Sequence, residues 1–215
     1  MKYTKRILII LCLIISISVA LGTVFCIGCG ISLTVCDGSF ARAVPEKEQL
    51  LRLEVVSSAQ KWLGVQEGYT HHKDILRIYN SHEPLARGYA VTVSDNWCAT
   101  FGSCIAIEQG LTDIIPTECG CERQIYLWQE MGRWQENDNY LPLPGDYIYY
   151  NWNNDSPFEE NTGWSDHVGI VVGTAGPFIK VIEGNKDDQV SYRILILGNR
   201  QIRGYGLPDY ASKCA

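Results

Sequence analysis

After Gly132 the apolar residues stop recurring at helical spacing and begin to fall in short runs, and this change of period limits the fold more than any other feature. Five runs read as strands: Asp146–Trp152, His167–Val172, Phe178–Glu183, Val190–Ile196 and Ile202–Tyr205. They are separated by turn formers: Asn153-Asn154-Asp155, Gly173 to Pro177, Gly184-Asn185 and Gly198-Asn199. Connections this short close hairpins but cannot carry a parallel crossover, so the sheet is expected to be antiparallel.

The residues ahead of this region read as helices. Pro45 to Leu63 has Pro45 in its first turn, Glu46 and Glu48 at its positive end and Gly64 as its stop, with Leu51, Val55, Ala59 and Trp62 spaced to face a core. Shorter helices are predicted over Asp74–Tyr79 and Arg123–Met131, the latter closed by Gly132. A helix from about Trp97 to Gln109 stops at Gly110, with Phe101, Cys104, Ile105 and Glu108 on one face. Between them His82 to Asn96 reads as a long loop. Helices followed by strands give an α+β layered domain, with helices packed on an antiparallel sheet of about five to six strands.

The N-terminus is a different material. Lys2, Lys5 and Arg6 precede 29 positions, Ile7 to Val35, without a charged residue. That exceeds the roughly 20 residues that span a bilayer and the roughly 7–15 of a signal-peptide core. The basic flank stays inside, which places the rest of the chain outside the cytoplasm. Residues 1–36 are therefore read as a short basic end plus one transmembrane helix or signal segment, 37–44 as a linker and 45–215 as the folded domain. Cleavage is the alternative: Ala41-Arg42-Ala43 has the small-x-small pattern of a signal peptidase site, and the residues before Cys29 and Cys36 form imperfect lipoprotein boxes. Cys12, Cys26, Cys29 and Cys36 fit as small apolar filler in a membrane helix.

Residues 44–215 hold 14 of the 18 basic residues and 23 of the 24 acidic ones, a net charge of −9. A surface of that sign argues against nucleic acid as a partner, and against passive electrostatic adhesion to anionic wall polymers. The domain has five cysteines: Cys98, Cys104, Cys119, Cys121 and Cys214. An odd number leaves at least one thiol free even where export permits disulfides. Cys119-Gly120-Cys121 lacks the companion ligands of a zinc site, so no metal and no cofactor is assigned. A disulfide from that pair to Cys214 stays open.

One thiol stands apart. Cys98 lies in Asn96-Trp97-Cys98-Ala99, after a polar loop and at a helix start, with Asp95 and Asn96 as candidate caps. The unpaired N–H groups and partial positive charge there favour the thiolate. Cys104, six residues on and about 9 Å along the axis, reads as a buried core thiol. His167 begins one predicted strand and Glu183 ends the next, which puts imidazole and carboxylate at the same end of a hairpin, where the carboxylate fixes the tautomer of the base. Asn185 follows in a Gly-Asn pair that also suits a turn. His71, His72 and His82 have no chemical context and are read as solvated surface residues.

Trp97-Cys98-Ala99, Pro144-Gly145-Asp146, Asp166-His167-Val168-Gly169-Ile170-Val171 and Ile182-Glu183-Gly184-Asn185, in that order, resemble the CHAP family, the papain-like cysteine, histidine-dependent amidohydrolases/peptidases that cut bacterial peptidoglycan. The resemblance covers about Glu48 to Tyr210. It implies a papain-like fold, with Cys98 as nucleophile, His167 as general base and acid, Glu183 as orienter and Asn185 as a fourth polar member near the oxyanion or base. The expected function is extracytoplasmic cleavage of amide bonds in peptidoglycan, as an N-acetylmuramoyl-L-alanine amidase or a peptide endopeptidase held at the cytoplasmic membrane. The alternatives are a cysteine peptidase acting on exported proteins and a relict wall-binding module. Gly102 departs from the bulkier residue common in relatives, and the scattered Glu67, Asp74 and Glu83 do not make the acid-rich calcium loop that some of them carry.

Overall fold

The structure, a computed structural model, describes residues 23–25, 32–34, 42–137, 139–152 and 163–214. Most of the uncharged stretch, with the anchor or signal helix assigned to it, lies outside the described residues. Its two described pieces, β1 (Thr23–Phe25) and β2 (Ser32–Thr34), pair antiparallel. Among the described residues no helix is long and apolar enough to cross a membrane.

The domain is α+β. Helices α1 (Glu46–Gln60), α2 (Thr70–Asn80), α3 (Cys98–Glu108) and α4 (Cys121–Glu130) come first. Strands β3 (Trp134–Gln135), β4 (Tyr147–Tyr150), β5 (His167–Ala175), β6 (Phe178–Lys186), β7 (Gln189–Ile196) and β8 (Ile202–Gly206) follow. They form one antiparallel sheet in the order β3-β8-β4-β5-β6-β7. The two-residue edge strand β3 is too short to leave a period in the sequence. The β6–β7 hairpin turns at Asp187-Asp188, not at Gly184-Asn185, because β6 continues to Lys186 through a bulge and pairs there with Gln189. Both aspartates take positive φ, which short polar side chains tolerate in tight turns.

Sheet alternation makes two cores. Tyr147, Tyr149, Val168, Ile170, Val172 and Ile182 face the helices. Ile148, Tyr150, Val171, Val181 and Tyr205 face the other way and pack with Tyr140, Trp152, Leu197 and Leu207. With both faces covered, the middle strands are buried along most of their length and read as near-continuous apolar runs.

Helix α3 runs through the middle, between α2 on one side and β5 and β6 on the other. It is buried on all sides from Cys98 to Ala106, which corrects the one-sided face expected for it. Gly102 is the contact that allows this. A Cβ there would lie 2.8 Å from Cε1 of the buried Tyr147, whose hydroxyl donates to the Gly102 carbonyl at 2.8 Å. The glycine at this position is therefore matched by a tyrosine in β4.

The Pro144-Gly145-Asp146 corner is built around a buried ion pair. Asp146 accepts from Arg52 of α1, the Tyr140 hydroxyl and the Leu143 N–H, each at 2.7–2.8 Å. Arg52 also donates to Glu48 and the Pro144 carbonyl, which ties α1 to the start of β4.

Candidate active site

Cys98 is the first residue of α3 and Trp97 its N-cap, with no side chain capping the helix. This corrects the capping assigned to Asp95 and Asn96. The Asp95 carboxylate is occupied by the Thr92 N–H and hydroxyl and by the Tyr89 hydroxyl. The Asn96 carbonyl oxygen accepts from the Asn185 amide at 3.4 Å. Trp97 is buried and donates through Nε1 to Glu67 at 3.0 Å. Its ring lies 4.7 Å from that of His72. His72 is thus a core residue of α2 and not a solvated one. It accepts from the Gly68 N–H through Nδ1 at 3.1 Å, and burial pushes its pKa down, so it is neutral. The helix begins at Thr70, earlier than Asp74, because His72 is one of its buried contacts.

His167 opens β5 and Glu183 lies in β6, and the pairing of Ile170 with Ile182 brings them to one end of the sheet. His167 Nε2 and Glu183 Oε2 are 3.1 Å apart. Gly169 makes this reach possible, since a Cβ there would sit 2.8 Å from Glu183 Cγ and 2.5 Å from Val181 Cγ1. The second nitrogen of His167, Nδ1, is left for Cys98, whose thiol acts on the imidazole from the other side. Tyr150 and Trp152, stacked on each other at 4.7 Å, lie beside the imidazole with ring centroids 5.9 and 6.0 Å away.

Two partners were not read from the sequence. Arg193 of β7 donates through Nε to both Glu183 oxygens, at 2.7 and 3.0 Å. Its signal was the hairpin register: with Glu183 opposite Ser191, Arg193 is the diagonal neighbour. Cys121, the first residue of α4, places its sulfur 3.5 Å from that of Cys98. Nothing in the Cys-Gly-Cys spacing points to that contact. Cys119 turns away toward Glu118 and Arg87, and Cys214 lies on the Tyr210 carbonyl. All five cysteines of the domain are free thiols.

The electrostatics follow from these contacts. The Cys98 thiol is held well below its ordinary pKa, first by the hydrogen bond from Cys121. Burial opposes this, while the hydrogen bond and charge of His167 reinforce it. Cys121 goes the other way: its bond to Cys98 and its burial keep the proton on. Burial alone would lower His167, but its bonds to Cys98 and Glu183 and their charges raise it to about 9. Burial would also raise Glu183, yet His167 and Arg193 hold it below the usual carboxylate range. These shifts favour a thiolate–imidazolium pair oriented by a carboxylate, an arrangement whose chemistry suits attack on a carbonyl and protonation of a leaving group.

Of the four residues singled out in the sequence, Cys98, His167 and Glu183 are brought together at one site, with His167 bonded to Glu183 and electrostatically coupled to Cys98. Asn185 is joined to the loop ahead of Cys98 through Asn96. It takes φ 56° within the β6 bulge, a conformation asparagine tolerates better than most residues. No protein-family model matches the chain, and no curated protein matches it in sequence.

Proposed function

We propose that this protein is a cysteine amidohydrolase or peptidase of the CHAP type that cuts amide bonds in peptidoglycan outside the cytoplasm. The observation that carries the chemistry is the position of His167 between the Cys98 sulfur and a Glu183 carboxylate that Arg193 holds in place. In the proposed reaction the Cys98 thiolate adds to an amide carbonyl. The N–H groups at the start of α3 stabilise the oxyanion, and His167 gives its proton to the departing amine. Water, deprotonated by His167, then hydrolyses the thioester and releases the acid. Glu183 is already committed to two cations, and glycosidic cleavage needs a pair of carboxylates about the bond. The substrate class and the site at the membrane face rest on the resemblance of the four motifs and on the uncharged N-terminal stretch.

Digestion of purified peptidoglycan by the full-length chain, followed by mass analysis of the fragments, tests this. New free amines without new reducing ends are expected, and the new amines should be absent with Cys98→Ala. Reducing sugar released in step with lysis would overturn the assignment. Hydrolysis of unfolded exported proteins but not of peptidoglycan would favour the peptidase alternative.

A further inference from the structure

The Cys121 thiol neither attacks nor transfers a proton in the acyl-transfer steps, yet its sulfur lies 3.5 Å from that of Cys98 and hydrogen-bonds it. Its position is fixed from several sides. The Ser103 hydroxyl clamps the loop ahead of α4 by donating to the Glu118 carbonyl at 2.8 Å and accepting the Glu118 N–H at 2.9 Å. Within α4, Gln124 donates to the Pro116 carbonyl and accepts from Tyr149 of β4, whose hydroxyl also accepts from Trp128. The first residues of two helices are thereby held sulfur to sulfur. Both cysteines are largely buried, with 6 % and 7 % exposure.

We propose that Cys98 and Cys121 form a site of reversible oxidation, in which hydrogen peroxide converts the pair to a disulfide that removes the nucleophile. The inference rests on Cys98 being the reactive thiolate of the proposed site, but not on the substrate. The Cys98 thiolate attacks one peroxide oxygen, so that an S–O bond forms, the O–O bond breaks and the departing hydroxide takes the His167 proton as water. The sulfur, oxidised by two electrons, is now a sulfenic acid. Cys121 attacks it: the S–S bond forms, the S–O bond breaks, and the Cys121 proton leaves with the hydroxyl as a second water. Two thiols and one peroxide become one disulfide and two waters. The sulfur–sulfur gap closes from 3.5 Å to about 2.05 Å, a movement of the size that side-chain rotation at either cysteine supplies. With its proton held on, Cys121 waits as the resolving thiol and is not the first to react. Dithiothreitol reverses the step by exchange and is itself oxidised.

The test exposes the full-length protein to sustained hydrogen peroxide, maps non-reduced peptides, and measures Cys98 alkylation by iodoacetamide before and after dithiothreitol. A Cys98–Cys121 linked peptide is expected in the wild type, with most of the alkylation recovered by dithiothreitol. In Cys121→Ser, recovery relative to its own untreated value should be at least about tenfold lower, because Cys98 passes on to sulfinic acid. Cys121→Ala serves if the serine variant does not fold, and the wild-type map decides if neither does. Sulfinic Cys98 without a link to Cys121, or a link from Cys98 to any other cysteine, overturns the proposal. These readouts use no peptidoglycan, so a linked pair in a protein that cuts no wall would reject the proposed substrate and leave this inference standing.

Discussion

Replacing Glu183 by Gln keeps shape and removes one negative charge from the middle of the site. The rise of His167 from its ordinary value to about 9 corresponds to about 3 kcal/mol in favour of the imidazolium, at 1.36 kcal/mol per pH unit. The bonds and charges responsible come from two residues, Cys98 and Glu183. Assigning Glu183 about half of the effect gives about 1.5 kcal/mol, or roughly a tenfold fall in the equilibrium constant that favours the imidazolium. Arg193 works in the same direction, because its guanidinium, 2.7 Å from Glu183 in the wild type, would then face the imidazole without an intervening anion.

The sign can be read from the upper limb of the pH profile. In the wild type the imidazolium persists until pH rises through about 9, so hydrolysis that needs His167 as an acid should fall there. In Glu183→Gln that fall should begin about one pH unit lower. Iodoacetamide alkylation of Cys98 against pH gives the same information without a substrate, and the neutral-pH plateau of reactivity should shrink. A variant whose upper limb stays near pH 9 would refute the reasoning, since the carboxylate would then have no influence on the base.

Cys98→Ala and His167→Ala should each abolish hydrolysis with the fold retained, whereas Cys104→Ala should stay active and Asn185→Ala should lose less than Glu183→Gln; wild-type activity in Cys98→Ala would reject the nucleophile. Gly102→Ala should be destabilising although alanine favours helices by about 1 kcal/mol, because overpacking against Tyr147 costs about 1–3 kcal/mol; a raised thermal midpoint would contradict the close contact. Asp146→Asn should cost about 3 kcal/mol by leaving Arg52 a buried cation without its main anion, which corresponds to a midpoint about 6–12 °C lower; an unchanged midpoint would mean that the pair contributes nothing.

The fold class was legible because period carries it. Strands starting at His167 and Phe178 and helices stopping at Gly110 and Gly132 are local signals, and short connectors left only an antiparallel sheet. His167 and Glu183 were legible for the same reason, since counting through one hairpin places them together. What escaped was set by contacts distant in sequence. Cys121 meets Cys98 because α4 docks on β4 through Gln124, Tyr149 and Trp128, and no spacing along the chain encodes that docking. His72 was misread because a lone histidine looks solvated until a Trp97 ring is found beside it. Asp95 and Asn96 were misread as caps because each has the right chemistry, and only the structure shows their oxygens already taken by Thr92, Tyr89 and Asn185.

The site also explains how ionic chemistry is tolerated in so dry a place. Glu183 is wholly buried, while Cys98 and His167 are 6 % and 8 % exposed. A single charge there would cost several kcal/mol. The charges instead alternate along one chain: thiolate, imidazolium, carboxylate, guanidinium. Each anion lies beside a cation, the sum is zero, and Arg193 at the outer end is the member nearest solvent, with a side chain 28 % exposed. Arg193 therefore helps keep Glu183 ionised, Glu183 helps keep His167 protonated, and His167 joins Cys121 in favouring the Cys98 thiolate. A residue on β7 that never approaches the sulfur thus helps set its reactivity.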